Sequence, residues 1–105
     1  MARTYSEKFL LEMHSADPHR PGVRLAKACV KANLPAKYVA EALGVTRMTV
    51  YSWFRGKPIR DKNQQVVDVF TELVEGDLQL GLLPVNNIQH GKKYIEDMIG
   101  RPLSD

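Results

Sequence analysis

The chain has 105 residues, 44% of them hydrophobic and 26% charged, which is one ordinary domain's worth of globular sequence with no room for a second. No apolar run approaches the ~20 residues that span a bilayer. The N-terminal stretch carries a charge every few positions where a signal peptide would have an apolar core. The single cysteine, Cys29, excludes a disulfide framework and a multi-cysteine zinc site. Together these features predict a cytoplasmic protein without membrane contact.

The net charge of +3 is mild but unevenly placed. Residues 1–60 hold eleven Lys/Arg against four Asp/Glu, a balance of +7, and residues 61–105 hold four against eight, a balance of −4. A basic front half points to an anion-binding face, and the acidic rear half to other work.

In chain order, the pattern is helical throughout, cut by Pro and Gly, with no period-two alternation. Thr4 and Glu7 form a Thr-x-x-Glu capping box ahead of Phe9, Leu10 and Met13, predicting a helix over about 5–14. Asp17-Pro18 and Pro21-Gly22 break the chain. A second helix then starts near Pro21, where proline is tolerated in the first turn, and runs to about Asn33. Its stripe is Leu25, Ala26, Cys29, Val30 and Leu34. Pro35 opens a short helix, Ala36–Leu43, ended by Gly44. Thr46 caps the next, Arg47–Arg55, closed by Gly56. A longer amphipathic helix covers about 61–80, with Val66, Val69, Phe70, Leu73 and Val74 on the expected core face. After an apolar connector at Leu82–Val85, a last helix over about 88–99 carries Ile88, Tyr94, Ile95, Met98 and Ile99.

The predicted fold is therefore all-α: a compact bundle of about five to six helices, with residues 1–83 as the main bundle and 84–105 as a C-terminal helical tail. Ile95, Met98 and Ile99, with Leu82 and Leu83, exceed what so small a core should need. A two-fold dimer interface through Tyr94, Ile95, Met98 and Ile99 would absorb the surplus.

Residues 36–55, AKYVAEALGVTRMTVYSWFR, carry the functional signal. Two short helices meet at a glycine. Ala40, four residues before Gly44, is small where two crossing helices approach, and Gly44 supplies the backbone freedom of the turn. Val39, Leu43, Val45, Val50 and Trp53 form the seam. This segment resembles the helix-turn-helix of the phage lambda repressor and Cro family. The resemblance covers roughly residues 21–80, most closely the motif with its trailing Phe54-Arg55-Gly56-Lys57.

The resemblance implies that helix 47–55 enters the major groove of duplex DNA as the recognition helix. With Val50 and Trp53 inward, the base-facing candidates are Thr46, Arg47, Met48, Tyr51 and Ser52. Arg47 can pair bidentately with guanine O6 and N7, and Met48 can cover a thymine methyl. The backbone-facing candidates are Lys37, Tyr38, Arg55, Lys57, Arg60 and Lys62, with the first helix of the pair crossing the phosphates at its N-terminus. The family often has a polar residue where this chain has Ala36, so a contact that orients the first-turn arginine is missing.

Nothing in the sequence favours an enzyme. His14, His19 and His90 have no metal-ligand spacing, and no phosphate loop, dinucleotide fingerprint or carboxylate pair occurs. No cofactor is expected. The expected function is a sequence-specific DNA-binding transcriptional regulator of phage or bacterial type, acting as a dimer, with RNA polymerase as a further contact. Two competitors remain: a DNA-packaging subunit similar to a phage small terminase, and an adaptor that inhibits host polymerase without binding DNA.

Overall fold

A computed structural model describes residues 5–104. It contains six helices and, among the described residues, no strand. They are α1 (Glu7–His14), α2 (Pro21–Ala32), α3 (Ala36–Leu43), α4 (Arg47–Phe54), α5 (Asp61–Gln79) and α6 (Ile88–Ile99). The expected all-α bundle is the observed one. Thr4 of the expected capping box lies outside the described residues; the cap of α1 is Ser6, whose Oγ accepts from the Phe9 amide at 3.1 Å.

Short-range chemistry sets the helix ends. Asn33 adopts the left-handed conformation after α2, and the Leu34 amide returns to the Cys29 carbonyl at 3.0 Å. The same closure follows α3, where Gly44 has φ 73° and the Val45 amide bonds the Ala40 carbonyl at 3.0 Å. These bonds satisfy the orphan carbonyls of the last turn and turn the chain sharply. Thr46 then caps α4, accepting from the Thr49 amide at 3.1 Å.

α2 is the central strut. Val23, Leu25, Ala26, Cys29 and Ala32 are all fully buried on it, and it packs against both α4 and α5. Its first turn runs so close to the last turn of α4 that a Cβ at Gly22 would lie 2.2 Å from the Trp53 carbonyl oxygen. Burial pushes the Cys29 thiol well up from its ordinary pKa, leaving it an inert core group. Arg24 on α2 clasps Glu75 on α5 with two bonds, at 2.6 and 3.1 Å. Both side chains are partly solvated, so the pair fixes register more than it adds stability.

Two expectations about the rear half need correction. The core face of α5 is Val67, Phe70, Thr71 and Val74, and the expected core residues Val66, Val69 and Leu73 are about half exposed. The second correction concerns Ile95, expected at a two-fold interface. It is fully buried in the same core cluster as the rest of the bundle, together with Val85 and Leu103. α6 packs on α3, and the chain around Val85 is tied to the end of α2: its amide bonds the Ala32 carbonyl at 3.0 Å, and its carbonyl accepts from Asn33 Nδ2 at 3.3 Å. The Tyr94 hydroxyl donates to Asp77 Oδ2 at 2.5 Å, joining α6 to α5. Beyond α6, Ser104 donates its amide at 2.9 Å and its hydroxyl to the Glu41 carboxylate on α3.

Candidate nucleic-acid interface

α3 and α4 pack closely across the turn at Gly44. Ala40 is buried there, as the crossing requires. On α4, Val50, Trp53 and Phe54 point into the core, so the opposite face must turn outward. Met48 stands on that face and is 82% exposed, while Arg47, three before Val50 and seven before Phe54, lies on the flank and is exposed as the first residue of the helix. An apolar side chain so exposed has no role in holding its own bundle together. Among the described residues no ion pair engages Arg47, Lys57, Arg60 or Lys62, and all four are exposed.

The remaining candidates are more constrained. Thr46 is exposed, but its Oγ1 is committed to the cap and shares a 2.9 Å hydrogen bond with Thr49 Oγ1. Ser52 donates its hydroxyl to the Thr49 carbonyl at 2.7 Å, so it can offer an outside group only its acceptor lone pairs. Tyr51 is half-buried, wedged edge-on between Phe9 and Phe54 at ring-centroid distances of 5.4 and 5.9 Å. Its ring braces α4 against α1.

Of the expected phosphate-facing pair on α3, only Lys37 is exposed. Tyr38 is 5% exposed and belongs to the core; its ring lies under the Lys37 ammonium at 5.5 Å. The reason is the packing of α3: Pro35 and Ala36 are buried too, and α6 stands against Pro35 at Gly91. Tyr38 therefore supports Lys37 rather than reaching a phosphate itself. Arg55 ends α4 and bonds Glu12 of α1 through Nε at 3.1 Å. Both partners are substantially exposed, so the pair is weak enough for a phosphate to displace the carboxylate.

The contribution of α1 is the part that sequence reasoning missed. An open groove of about 670 Å³ runs between α1 and the outer face of α4, lined by Tyr5, Ser6, Phe9, Arg47, Met48, Tyr51 and Arg55. Tyr5 anchors that wall: its hydroxyl donates to the Leu34 carbonyl at 2.5 Å, and burial holds its pKa well above the ordinary value. Phe9 was readable as a core residue from its spacing. Its partner Tyr51 and the Glu12–Arg55 pair lie more than forty positions away, where no local signal reaches.

Among the described residues no cluster of His, Cys, Asp and Glu could hold a metal ion, and no helix is long and apolar enough to cross a membrane. Comparison of the chain with protein-family models, with curated proteins and with solved structures finds no match in any of the three.

Proposed function

We propose that this protein is a sequence-specific duplex-DNA-binding transcriptional regulator of phage or bacterial type, related in mechanism to the lambda repressor and Cro helix-turn-helix. One observation carries the reading. α4 buries Val50, Trp53 and Phe54 and leaves Arg47 and Met48 exposed in its first turn, and a left-handed glycine turns it sharply off α3.

In this reading the first two turns of α4 lie in the major groove. Arg47 donates to a guanine edge and Met48 covers a thymine methyl, while Thr46, Tyr51 and Ser52 hold or flank that surface. Lys37, Lys57, Arg60 and Lys62 meet phosphates, and Arg55 joins them by leaving Glu12. Regulation is by occupancy: the bound protein blocks or recruits RNA polymerase at its site in the cytoplasm of a bacterial or phage-infected cell. No cofactor enters.

Selection of bound sites from a random duplex pool tests the proposal. It expects a short enriched sequence containing at least one guanine whose selection is lost in Arg47→Ala. Enrichment of no sequence, with tight binding that follows only salt, refutes sequence-specific regulation and favours a packaging role. Absence of binding even at low salt favours the adaptor.

A further inference from the structure

Residues 18–40 hold five cations, Arg20, Arg24, Lys27, Lys31 and Lys37, and no carboxylate. The proposed DNA face takes only Lys37 of these. The other four recur at spacings of four, three and four, which sets them in line along one side of α2. Arg24 is held by Glu75. Among the described residues no ion pair engages Arg20, Lys27 or Lys31.

Lys27 and Lys31 border a groove of about 440 Å³ between α1 and α2, with Leu10, Met13 and Val30 as its apolar floor and His14 on the opposite rim. Met13 is 3% exposed and closes the bottom, and Leu10 and Val30 are partly buried beside it. Leu11, 69% exposed and three residues before His14, extends the apolar lip along the crest of α1. Glu75 stands on the α5 side of the two lysines, whereas among the described residues no carboxylate lines the α1 side. α1 runs antiparallel to α2, since Tyr5 ahead of it bonds Leu34 beyond the end of α2 and only residues 15–20 join the other ends. Two helices side by side with an apolar seam between them leave the place of a third.

α1 also separates this groove from the proposed recognition surface. Phe9 and Glu12 meet Tyr51 and Arg55 of α4, whereas Leu10, Met13 and His14 border α2. A duplex on the outer face of α4 therefore lies across α1 from the groove. The floor argues in the same direction. Laying a phosphodiester strand over Leu10, Met13 and Val30 would desolvate charge against apolar surface with no return.

We infer that the α1–α2 groove docks an acidic amphipathic helix of a foreign protein. The aliphatic side chains of that helix cover Leu10, Met13 and Val30. Its flanking carboxylates, four residues apart, meet Lys27 and Lys31, which are themselves four apart and ~6 Å along α2. Across the groove the His14 ring offers an N–H to the opposite flank of the same helix. This inference does not depend on DNA reading: the groove and its lysines stand whether or not α4 enters a major groove.

The test is a titration of the isotope-labelled full chain, followed by amide NMR, with a synthetic helix-forming peptide that carries leucines along one face and glutamates four apart beside them. Shifts should concentrate at Leu10–His14 and Lys27–Lys31. A peptide with lysines for the glutamates, and one with serines for the leucines, should each bind about tenfold more weakly or not at all. Lys27→Glu/Lys31→Glu should weaken the acidic peptide by about tenfold or more. Its helical circular dichroism should be unchanged, because neither side chain belongs to the core.

Equal binding of the acidic and basic peptides overturns the inference, as does undiminished binding by the double variant. So does an absence of binding, or shifts confined to α4. A duplex of scrambled sequence is the last arm. It should leave the amides of Lys27 and Lys31 in place, and shifts there as large as those the acidic peptide produces would give the groove to nucleic acid and end the proposal.

Discussion

Replacing Gly22 with alanine tests the contact that aims α4. Gly22 is in the first turn of α2, where an added Cβ would lie 2.2 Å from the Trp53 carbonyl oxygen, 2.7 Å from its carbonyl carbon and 2.9 Å from its Cβ. Ordinary contact begins near 3.4 Å, so α2 and the end of α4 must part by about 1 Å, and the obstacle is backbone that no rotamer change can move. Alanine gains up to ~1 kcal/mol over glycine in helix propensity. Overpacking of this kind costs ~1–3 kcal/mol, and a backbone clash belongs at the upper end. The net loss should be about 2 kcal/mol, which for a chain of this size lowers Tm by roughly 8–16 °C. Thermal and urea unfolding followed by circular dichroism measure it. Gly76→Ala is the control. It meets open space and should stabilise the protein by ~0.5–1 kcal/mol. If Gly22→Ala melts at or above the wild-type temperature while Gly76→Ala behaves as stated, α2 and α4 do not meet as closely as described.

Arg47→Ala should cost ~1–3 kcal/mol on the selected site and less on scrambled DNA; equal losses in a binding titration would reduce Arg47 to a phosphate contact. Lys37→Ala and Lys57→Ala should weaken both DNAs alike and each lower the salt dependence of log affinity by ~1; unchanged slopes would place the backbone-facing side elsewhere. Glu12→Gln should free Arg55, strengthening cognate and scrambled binding together with a steeper salt dependence; unchanged affinity would show that Arg55 stays off the DNA. Glu41 is held below the usual carboxylate range, first by the Ser104 hydroxyl and then by the Ser104 amide, with Arg101 and Lys37 adding to it. A depressed folded pKa contributes stability above the unfolded value and loses it as pH falls through the folded one. The Ser104 amide should therefore lose hydrogen-exchange protection on acidification below the ordinary carboxylate range, and Glu41→Gln should remove that pH dependence.

The parts of the fold legible in the sequence are those decided within a few residues. Gly44, Thr46 and Pro21 each act through their own backbone or the next turn, so α2, α3 and α4 fall where capping chemistry puts them. The outward position of Met48 was legible for the same reason: once Val50 and Trp53 are inward, the helical period fixes the other face, and Arg47 is exposed as the first residue of the helix. What was not legible depends on contacts between distant segments. Tyr38 looks like a surface residue beside Lys37 until α6 closes over the start of α3. Glu12 is an ordinary helix-surface acid until Arg55 comes beside it.

α5 shows why apolar spacing alone assigns a face wrongly. Its sequence has more aliphatic residues than one stripe can hold, and reading the densest set as core selects Val66, Val69 and Leu73. The bundle instead turns Thr71 inward, at 2% exposure. That residue reads as polar, but its hydroxyl donates to the Val67 carbonyl one turn back at 2.8 Å, which satisfies the group and leaves its methyl for the core. With the hydroxyl satisfied, burying Thr71 costs little, and the helix can rotate to place Val67 and Val74 on the core side. The aliphatic residues that this rotation displaces, Val66, Val69 and Leu73, are left about half exposed, which no count of apolar spacing along the chain could have told from core.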